Sequence, residues 1–187
     1  MTGGSVAICG VSGSPRLGST TSRAVDAVIT ALKPTLVALG IQCATSMVDC
    51  AVLGQAVLDP SDPAMTWAIE TISVSDCVVI GSPTYRGSYT GILKCLLDEL
   101  PRSALENAMV LPLAVYQADH HRDVVLGSLH TTLGELGAAL VLPALAIRQD
   151  DVDDATAAYV AQLSRRLTTS PSGSLALRLS KERHNND

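Results

Sequence analysis

Small polar residues crowd one segment near the start of the chain, between a short apolar run and a helical pattern. The segment "GVSGSPRLGSTTSR", residues 10–23, combines glycines with hydroxyl side chains and two arginines. Its candidate anion ligands are Ser12, Ser14, Arg16, Ser19, Thr20 and Thr21. Hydroxyl groups, a guanidinium and the free N–H groups of a helix start all bind anions. The pattern therefore predicts an anion site, and a phosphate monoester is its best ligand.

Three other interpretations of this segment can be weighed. A P-loop requires a lysine before Ser or Thr, and no lysine follows Gly18. A dinucleotide fingerprint requires GxGxxG, whereas the spacing here is GxxGxPR, although Asp49 does lie near the end of the second apolar run. The third is a Ser/Gly-rich turn that only caps a helix, but one cap needs one hydroxyl group, not five together with an arginine.

A second segment, "GSPTYRGSYTGILKCLLDELP" at residues 81–101, follows another apolar run. Its first residues turn the chain sharply and leave Thr84, Tyr85 and Arg86 at the carboxyl end of a strand. The small residues that follow keep the next helix start open, so a flat aromatic ligand could lie on this backbone. The alternative is an ordinary surface loop with exposed tyrosines, and this segment alone does not decide between the two.

Both segments depend on a regular alternation of apolar runs and helical patterns. The aliphatic runs are Val6–Cys9, Cys43–Val48, Cys77–Ile80, Met109–Val115 and Leu140–Ile147. Alternation of this kind predicts an α/β fold with a parallel sheet, right-handed crossovers and helices on both faces. The strand order 2-1-3-4-5 fits most simply, and such sheets bind ligands at the carboxyl ends of their strands.

The helical patterns have recognisable ends. Apolar spacing predicts helices over Ala24–Leu36, Met65–Ile72, Ile92–Leu97, Val124–Leu136 and Ala155–Leu167. Pro34 predicts a kink or an early end in the first. Ser61 or Asp62 would cap the second, with Pro63 at its first position. We expect residues 1–167 to form the domain and 168–187 a flexible tail, in which Leu175–Leu179 could dock on a neighbour.

Composition narrows the classes of partner. The 187 residues carry a formal net charge of −5 and no long basic run, which argues against a nucleic-acid partner. No apolar stretch is long enough to span a membrane and no signal-peptide pattern opens the sequence, so we expect a cytoplasmic protein. The five cysteines form no CxxC pair, which argues against a metal site and predicts reduced, buried thiols.

Taken together, the two segments resemble the NADPH-dependent FMN reductase family, which has a flavodoxin-like fold. The likeness rests on "GSPR" with its Ser/Thr cluster and on the run from Pro83 to Pro101, which is similar to the reductases that serve alkanesulfonate-type two-component monooxygenases. It covers roughly Val6 to Pro143. The resemblance implies a three-layer flavodoxin-like sandwich and a homodimer or homotetramer, with Tyr89 at an oligomer contact.

The resemblance also implies roles for individual residues. Ser14, Arg16, Ser19, Thr20 and Thr21 would hold the FMN phosphate, and Pro83, Thr84, Tyr85 and Arg86 would line the isoalloxazine ring. No catalytic acid or base is implied, since hydride passes between NADPH or NADH and the flavin. Lys94 and Asp98 are interpreted as an exposed pair without a catalytic role.

One position departs from the family pattern. Relatives place a Thr-Gly-Gly turn after strand four, whereas this chain has Tyr116 and Gln117 there, followed by His120 and His121. We count Tyr116 and Gln117 among the cofactor-binding residues. Tyr116 could stack on the ring, point away, or block part of the site where nicotinamide or a second flavin would lie. Three functions follow. The first is an NAD(P)H:FMN oxidoreductase that supplies reduced flavin to a monooxygenase or another acceptor. The second is an FMN-binding flavoprotein with a modified ring site, either a carrier or an enzyme of specialised metabolism, without efficient NAD(P)H turnover, and the third is a binder of other phosphate compounds.

Overall fold

A computed structural model of the protein describes residues 5–38, 40–138 and 140–169. Within them one parallel sheet is formed by β1 (Ser5–Ser12), β2 (Gln42–Asp49), β3 (Cys77–Pro83), β4 (Met109–Tyr116), β5 (Leu140–Val141) and β6 (Leu145–Arg148). The order is β2-β1-β3-β4-β5, and β6 also pairs with β4. The predicted five-strand order is therefore confirmed, with its fifth strand in two pieces. Pro143 lies between them, and proline cannot donate to a strand ladder.

Helices cover both faces of the sheet and complete the predicted three-layer, flavodoxin-like sandwich. They are α1 (Thr20–Ala38), α2 (Cys50–Leu53), α3 (Pro63–Ser73), α4 (Gly91–Asp98), α5 (Arg122–Glu135) and α6 (Val152–Thr169), with 3₁₀ turns at Gly54–Leu58 and Asp119–His121. One apolar core joins α1 and α6 to the sheet, and a second joins α3, α4 and α5 to its other face. The central strands are continuous aliphatic runs because both of their faces are buried.

Helix ends agree with most of the local signals. The Asp62 carboxylate accepts the N–H of Ala64 at 2.8 Å, which selects Asp62 over Ser61 as the cap of α3. Gly137 follows α5 with a φ of 83°, as expected for a helix stop. The early end that Pro34 suggested is wrong, since α1 continues to Ala38.

The carboxyl-terminal boundary can be followed only in part. Helix α6 reaches Thr169, two residues beyond the predicted end of the domain at 167. The tail segment Leu175–Leu179 lies outside the described residues. Among the described helices, none has the length and apolarity needed to cross a membrane.

Two glycines allow α1 to lie unusually close to the sheet. A Cβ atom at Gly81 would lie 2.4 Å from Val25 Cγ2, and one at Gly10 would lie 2.7 Å from Val25 Cγ1. Only glycine fits at such distances without movement of the helix. The close packing places the first turn of α1 directly beside the carboxyl ends of β1 and β3.

The cysteines behave mainly as small apolar residues. Cys9, Cys50 and Cys77 are buried, Cys43 and Cys95 are half-buried, and none of the five is in a disulfide. Burial raises the pKa of Cys9 to about 11 and the pKa values of Cys50 and Cys77 to about 12. These three thiols therefore stay protonated at neutral pH and are poor nucleophiles.

Candidate functional site

The loop between β1 and α1 is organised around two serines. Ser14 is buried, and its Oγ accepts the backbone N–H of Arg16 at 3.2 Å. Ser19 caps α1, since its Oγ accepts the N–H of Ser22 at 3.1 Å. The N–H groups of Thr20 and Thr21 come before that capped position, in the first turn where helix geometry supplies no acceptor. They face the loop and are available to an anion.

Arg16 provides the charge of this loop. Its backbone is tied to Ser14, but its exposed side chain makes no ion pair within the described residues. Because the guanidinium of Arg16 has no ion pair among the described residues, it can bind an anion at the helix start without first breaking such a contact. The loop thus keeps the free N–H groups and the charge on which the predicted anion site rests, and its assignment to a phosphate stays a prediction.

Two buried hydroxyl groups at the carboxyl edge lack partners among the described residues. Ser12 belongs to the end of β1 rather than to the loop, and it is 0% exposed. Its Oγ and the Thr84 Oγ1 at the end of β3 have no hydrogen-bond partner. Leaving a buried hydroxyl unpaired costs about 1–3 kcal/mol. A polar ligand at this edge would offset that cost, so these two atoms support a ligand site here.

The loop after β3 contains a tight hairpin. Tyr85 and Ser88 exchange backbone hydrogen bonds of 2.9 and 3.1 Å. Arg86 and Gly87, between them, have φ values of 55° and 78°, the pattern of a type I′ turn. Tyr85 is 42% exposed beside this turn. The N–H of Thr84 donates to the Val115 carbonyl at 2.8 Å, which ties the loop to β4.

The two loops are joined directly. The N–H of Gly13 donates to the carbonyl of Gly81 at 2.7 Å. This bond places the anion loop of β1 beside the residues Pro83–Arg86 that follow β3. A ligand with a phosphate group at one end and a flat ring at the other would contact both.

Tyr116 lies on the α5 side of the sheet. Strand residues alternate between faces, and Val110, six residues earlier, packs in the core with Leu129 and Leu133 of α5. Tyr116 is 9% exposed, and its hydroxyl is a minor contributor to the raised pKa of Arg122, which is mainly due to the hydrogen bond that Arg122 donates to Asp123. This placement favours the outcome in which Tyr116 points away from the ring site.

Gln117 and the two histidines lie at the rim. The Gln117 side chain is exposed and donates to Gln149 Oε1 at 2.8 Å. The rings of His120 and His121 are 4.0 Å apart, and His121 lies beside Gly87, since a Cβ there would be 3.6 Å from its Cδ2. Within the described ranges no group of three His, Cys, Asp or Glu residues could hold a metal ion.

Two positions, Thr90 and Asp49, gain a role only in the structure. Thr90 caps α4, and its N–H donates to the Ser82 Oγ at 3.1 Å. Asp49 accepts the N–H of Ala51 at 2.9 Å and the Ser22 hydroxyl at 2.7 Å. Asp49 therefore caps α2 and braces α1, a use different from the ribose contact of a dinucleotide fold. The sequence signal for this capping role was the position of Asp49 at the end of a strand and directly before a helix.

The amino-acid sequence matches a known protein family over most of its length. Residues 6–151 match the family model described as NADPH-dependent FMN reductase. The chain belongs to this family.

Curated members of the family match parts of the chain. An FMN reductase (NADPH) of Escherichia coli (strain K12) is 36% identical over 80 residues, which are 43% of this chain and 42% of the relative. An FMN reductase (NADPH) of Pseudomonas putida (strain KT2440) is 32% identical over 98 residues, 52% of this chain and 50% of the relative. The NADH-dependent FMN reductase SfnF of Pseudomonas putida is 30% identical over 112 residues, 59% of this chain and 60% of the relative. The matches thus span about half the length of these relatives.

Solved structures match nearly the whole fold. The apo form of an NADH:FMN oxidoreductase, EmoB, has a TM-score of 0.74 and 26% identity, and the match covers 90% of this chain and 93% of that one. An oxidoreductase from Corynebacterium diphtheriae has a TM-score of 0.78 at 21% identity, covering 95% of this chain and 98% of that one. The second likeness concerns the fold alone.

Proposed function

We propose that the protein reduces FMN with NADPH or NADH. The observation that carries this proposal is the hydrogen bond between Gly13 and Gly81, 2.7 Å long, which holds an anion loop and a ring platform side by side. Family membership supports the same conclusion. The relatives include both an NADPH-dependent and an NADH-dependent FMN reductase, so either nicotinamide nucleotide is a candidate donor.

The β1–α1 loop fits the phosphate end of FMN. The N–H groups of Thr20 and Thr21 and the side chain of Arg16 would hold its oxygens. The hydroxyl of Ser19 accepts a bond from Ser22 N–H at 3.1 Å, and its own hydrogen is available to a phosphate oxygen. Ser14 shapes the turn, and the unpartnered Ser12 hydroxyl offers a donor at the strand end.

The β3–α4 loop fits the ring end. Pro83 and Thr84 would lie against the ring, with the unpartnered Thr84 hydroxyl turned toward its polar atoms. Tyr85 is exposed enough to cover one edge. The bound flavin and nicotinamide nucleotide supply the hydride chemistry themselves. The protein's task is to fix the phosphate, present one ring face and offer N–H groups to developing negative charge.

The alternative of a flavin carrier or specialised enzyme depended on Tyr116 and Gln117 at the ring site, where Tyr116 could obstruct the nicotinamide. Tyr116 is buried, and strand alternation places it on the face of the sheet that carries α5, which argues against that obstruction. The third candidate, a binder of other phosphate compounds, would not recognise the flavin ring. It would therefore bind phosphate compounds without preference for FMN.

The proposal is tested with purified protein, FMN and NADPH. We expect FMN to bind and the near-ultraviolet absorbance of NADPH to fall only when flavin is present. Parallel assays with NADH, riboflavin and FAD define the substrates. Protein that neither binds FMN nor oxidises either nicotinamide nucleotide would refute the proposal, while tight FMN binding without oxidation would indicate the carrier.

The electron acceptor, the oligomeric state and the location are also part of the proposal. A flavin-dependent monooxygenase is the proposed acceptor of reduced FMN, and a homodimer or homotetramer in the cytoplasm is the proposed form. Light scattering measures the assembly directly. Coupling to a flavin-dependent monooxygenase, followed by product formation, tests the acceptor.

A further inference from the structure

Arg86 has a backbone conformation that arginine rarely adopts. Its φ of 55° is the one positive value outside glycine among the described residues. Type I′ turns normally have Asn, Asp or Gly at this position, because other side chains are strained there. Strained residues of this kind concentrate at functional sites, where the side chain is needed. The turn is held by the two hydrogen bonds between Tyr85 and Ser88.

The charge of Arg86 is also uncompensated. Its exposed guanidinium has no ion pair in the part of the chain that the structure describes. Two other arginines near the carboxyl edge differ in this respect. Arg122 pairs with Asp123 at 3.0 Å, and Arg148 pairs with Asp119 at 3.2 Å. In a chain with a net charge of −5, an unpaired cation beside a ligand site is suited to an anionic ligand.

The position of Arg86 separates it from the FMN phosphate. Arg16 and the first turn of α1 serve that phosphate at the end of β1. Arg86 lies beyond Tyr85, at the tip of the turn that borders the ring platform, with Gly87 against His121. A second nucleotide that stacks on the exposed ring face must bring its own phosphates past this rim.

We propose that Arg86 binds a phosphate group of the nicotinamide nucleotide. This inference rests on the proposed function. The group is either the 2′-phosphate, which only NADPH carries, or the diphosphate, which NADH shares. Arg86 thereby sets the affinity for the electron donor and leaves FMN binding to Arg16.

The test compares three variants with the wild-type protein. Arg86→Asn relieves the turn and removes the charge, and Arg86→Lys keeps the charge without the forked donors. Arg23→Gln removes an exposed cation, one turn into α1, that has no ion pair among the described residues. We expect Arg86→Asn to raise the Tm by about 2 °C, since Asn tolerates this conformation. We also expect about a tenfold increase in KM for the nucleotide and in the Kd of NADP⁺ or NAD⁺ measured by calorimetry, as for a lost charged hydrogen bond.

Each outcome decides the matter. Losses confined to NADPH and NADP⁺ support the 2′-phosphate, and equal losses for NADH and NAD⁺ support the diphosphate. Unchanged nucleotide affinity in Arg86→Asn, or an equal loss in Arg23→Gln, overturns the inference while the proposed function stands. A wild-type protein without FMN-dependent oxidation defeats the proposed function, and this inference falls with it.

Discussion

The hydroxyl group of Thr90 donates a hydrogen bond to the carbonyl of Gly13, a residue 77 positions earlier in the chain. The same Oγ1 accepts the N–H of Leu93 at 3.3 Å and so caps α4. The N–H of Thr90 donates to Ser82 Oγ at 3.1 Å. One threonine thus joins the anion loop, the end of β3 and the start of α4. The relative position of the two ligand loops depends on it.

Thr90→Val should remove both side-chain bonds while it keeps the volume. We expect the free energy of unfolding to fall by about 2–3 kcal/mol, because a cap is lost and the Gly13 carbonyl is left without this partner. FMN affinity should fall with it, since the loops are no longer fixed together. Urea unfolding and a flavin titration measure the two effects. Thr90→Ser keeps the hydroxyl, and an equal loss in that variant would contradict the interpretation.

Arg16→Gln should weaken FMN binding by about 1.5–3 kcal/mol, the range for a hydrogen bond to a charged group. Riboflavin has no phosphate, so its affinity should change far less. Flavin fluorescence quenching measures both ligands under one set of conditions. Similar losses for FMN and riboflavin would mean that Arg16 does not contact the phosphate.

Gly81→Ala should destabilise the fold by about 1–3 kcal/mol, the usual cost of overpacking. The added Cβ would lie 2.4 Å from Val25 Cγ2, so α1 or its side chain must move. Val25→Ala makes room, and the cost of Gly81→Ala should shrink in that background. Thermal unfolding of the wild type, the two single variants and the double variant gives the coupling energy between positions 25 and 81. Gly127→Ala, where nothing lies within 4 Å, serves as the control and should stabilise α5 by about 0.5–1 kcal/mol.

Local sequence patterns were sufficient to predict the parallel sheet. They failed where tertiary packing overrides a local preference. The aliphatic runs of β1, β3 and β4 are long and buried on both faces, so alternation predicted a parallel sheet, and the simplest doubly wound order was the correct one. Pro34 shows the limit of such rules. It removes one hydrogen bond from α1, but Leu32 and Leu36 are buried on either side of it, and that packing favours an uninterrupted helix.

The site residues show a similar division. Ser12, Ser14 and Ser19 are equivalent hydroxyls in the sequence, yet the structure makes one an unpartnered strand end, one a turn and one a helix cap. Their roles depend on where β1 ends and α1 begins, and hydrophobic patterns define the ends of strands and helices less well than their centres. The sequence pattern ends strand four at Val115 and places Tyr116 in the following turn, whereas Tyr116 is the last residue of β4, and its face follows from the strand register.

Tyr116→Gly should destabilise the protein by about 3 kcal/mol or more, as expected for loss of a buried aromatic ring. NADPH turnover by the folded fraction should not rise, because strand alternation places the Tyr116 side chain on the face of the sheet that carries α5. Tyr116→Phe keeps the packing and should be near neutral. Steady-state assays below the unfolding transition separate the two effects. A clear rise in kcat with Tyr116→Gly would restore the blocking role.

The buried thiols predict both reactivity and a pH dependence. At pH 8 a thiol reagent should leave Cys9, Cys50 and Cys77 unmodified in the folded protein and should reach all five cysteines after unfolding. Their pKa values are raised from 9.0 to about 11 or 12 by burial, so the unfolded chain releases these protons first. Stability that is fully present below pH 9 is therefore lost as the pH rises toward the folded values.

Cys77→Ala isolates this effect, because Lys and Tyr residues also titrate in that range. Each protonated thiol that ionises only on unfolding adds about 1.4 kcal/mol of lost stability per pH unit. The slope of the unfolding free energy against pH, measured with urea between about pH 9.5 and 10.5, should thus become shallower by nearly that amount in the variant. Equal slopes in the two proteins would show that Cys77 titrates in the folded state as it does in the unfolded chain.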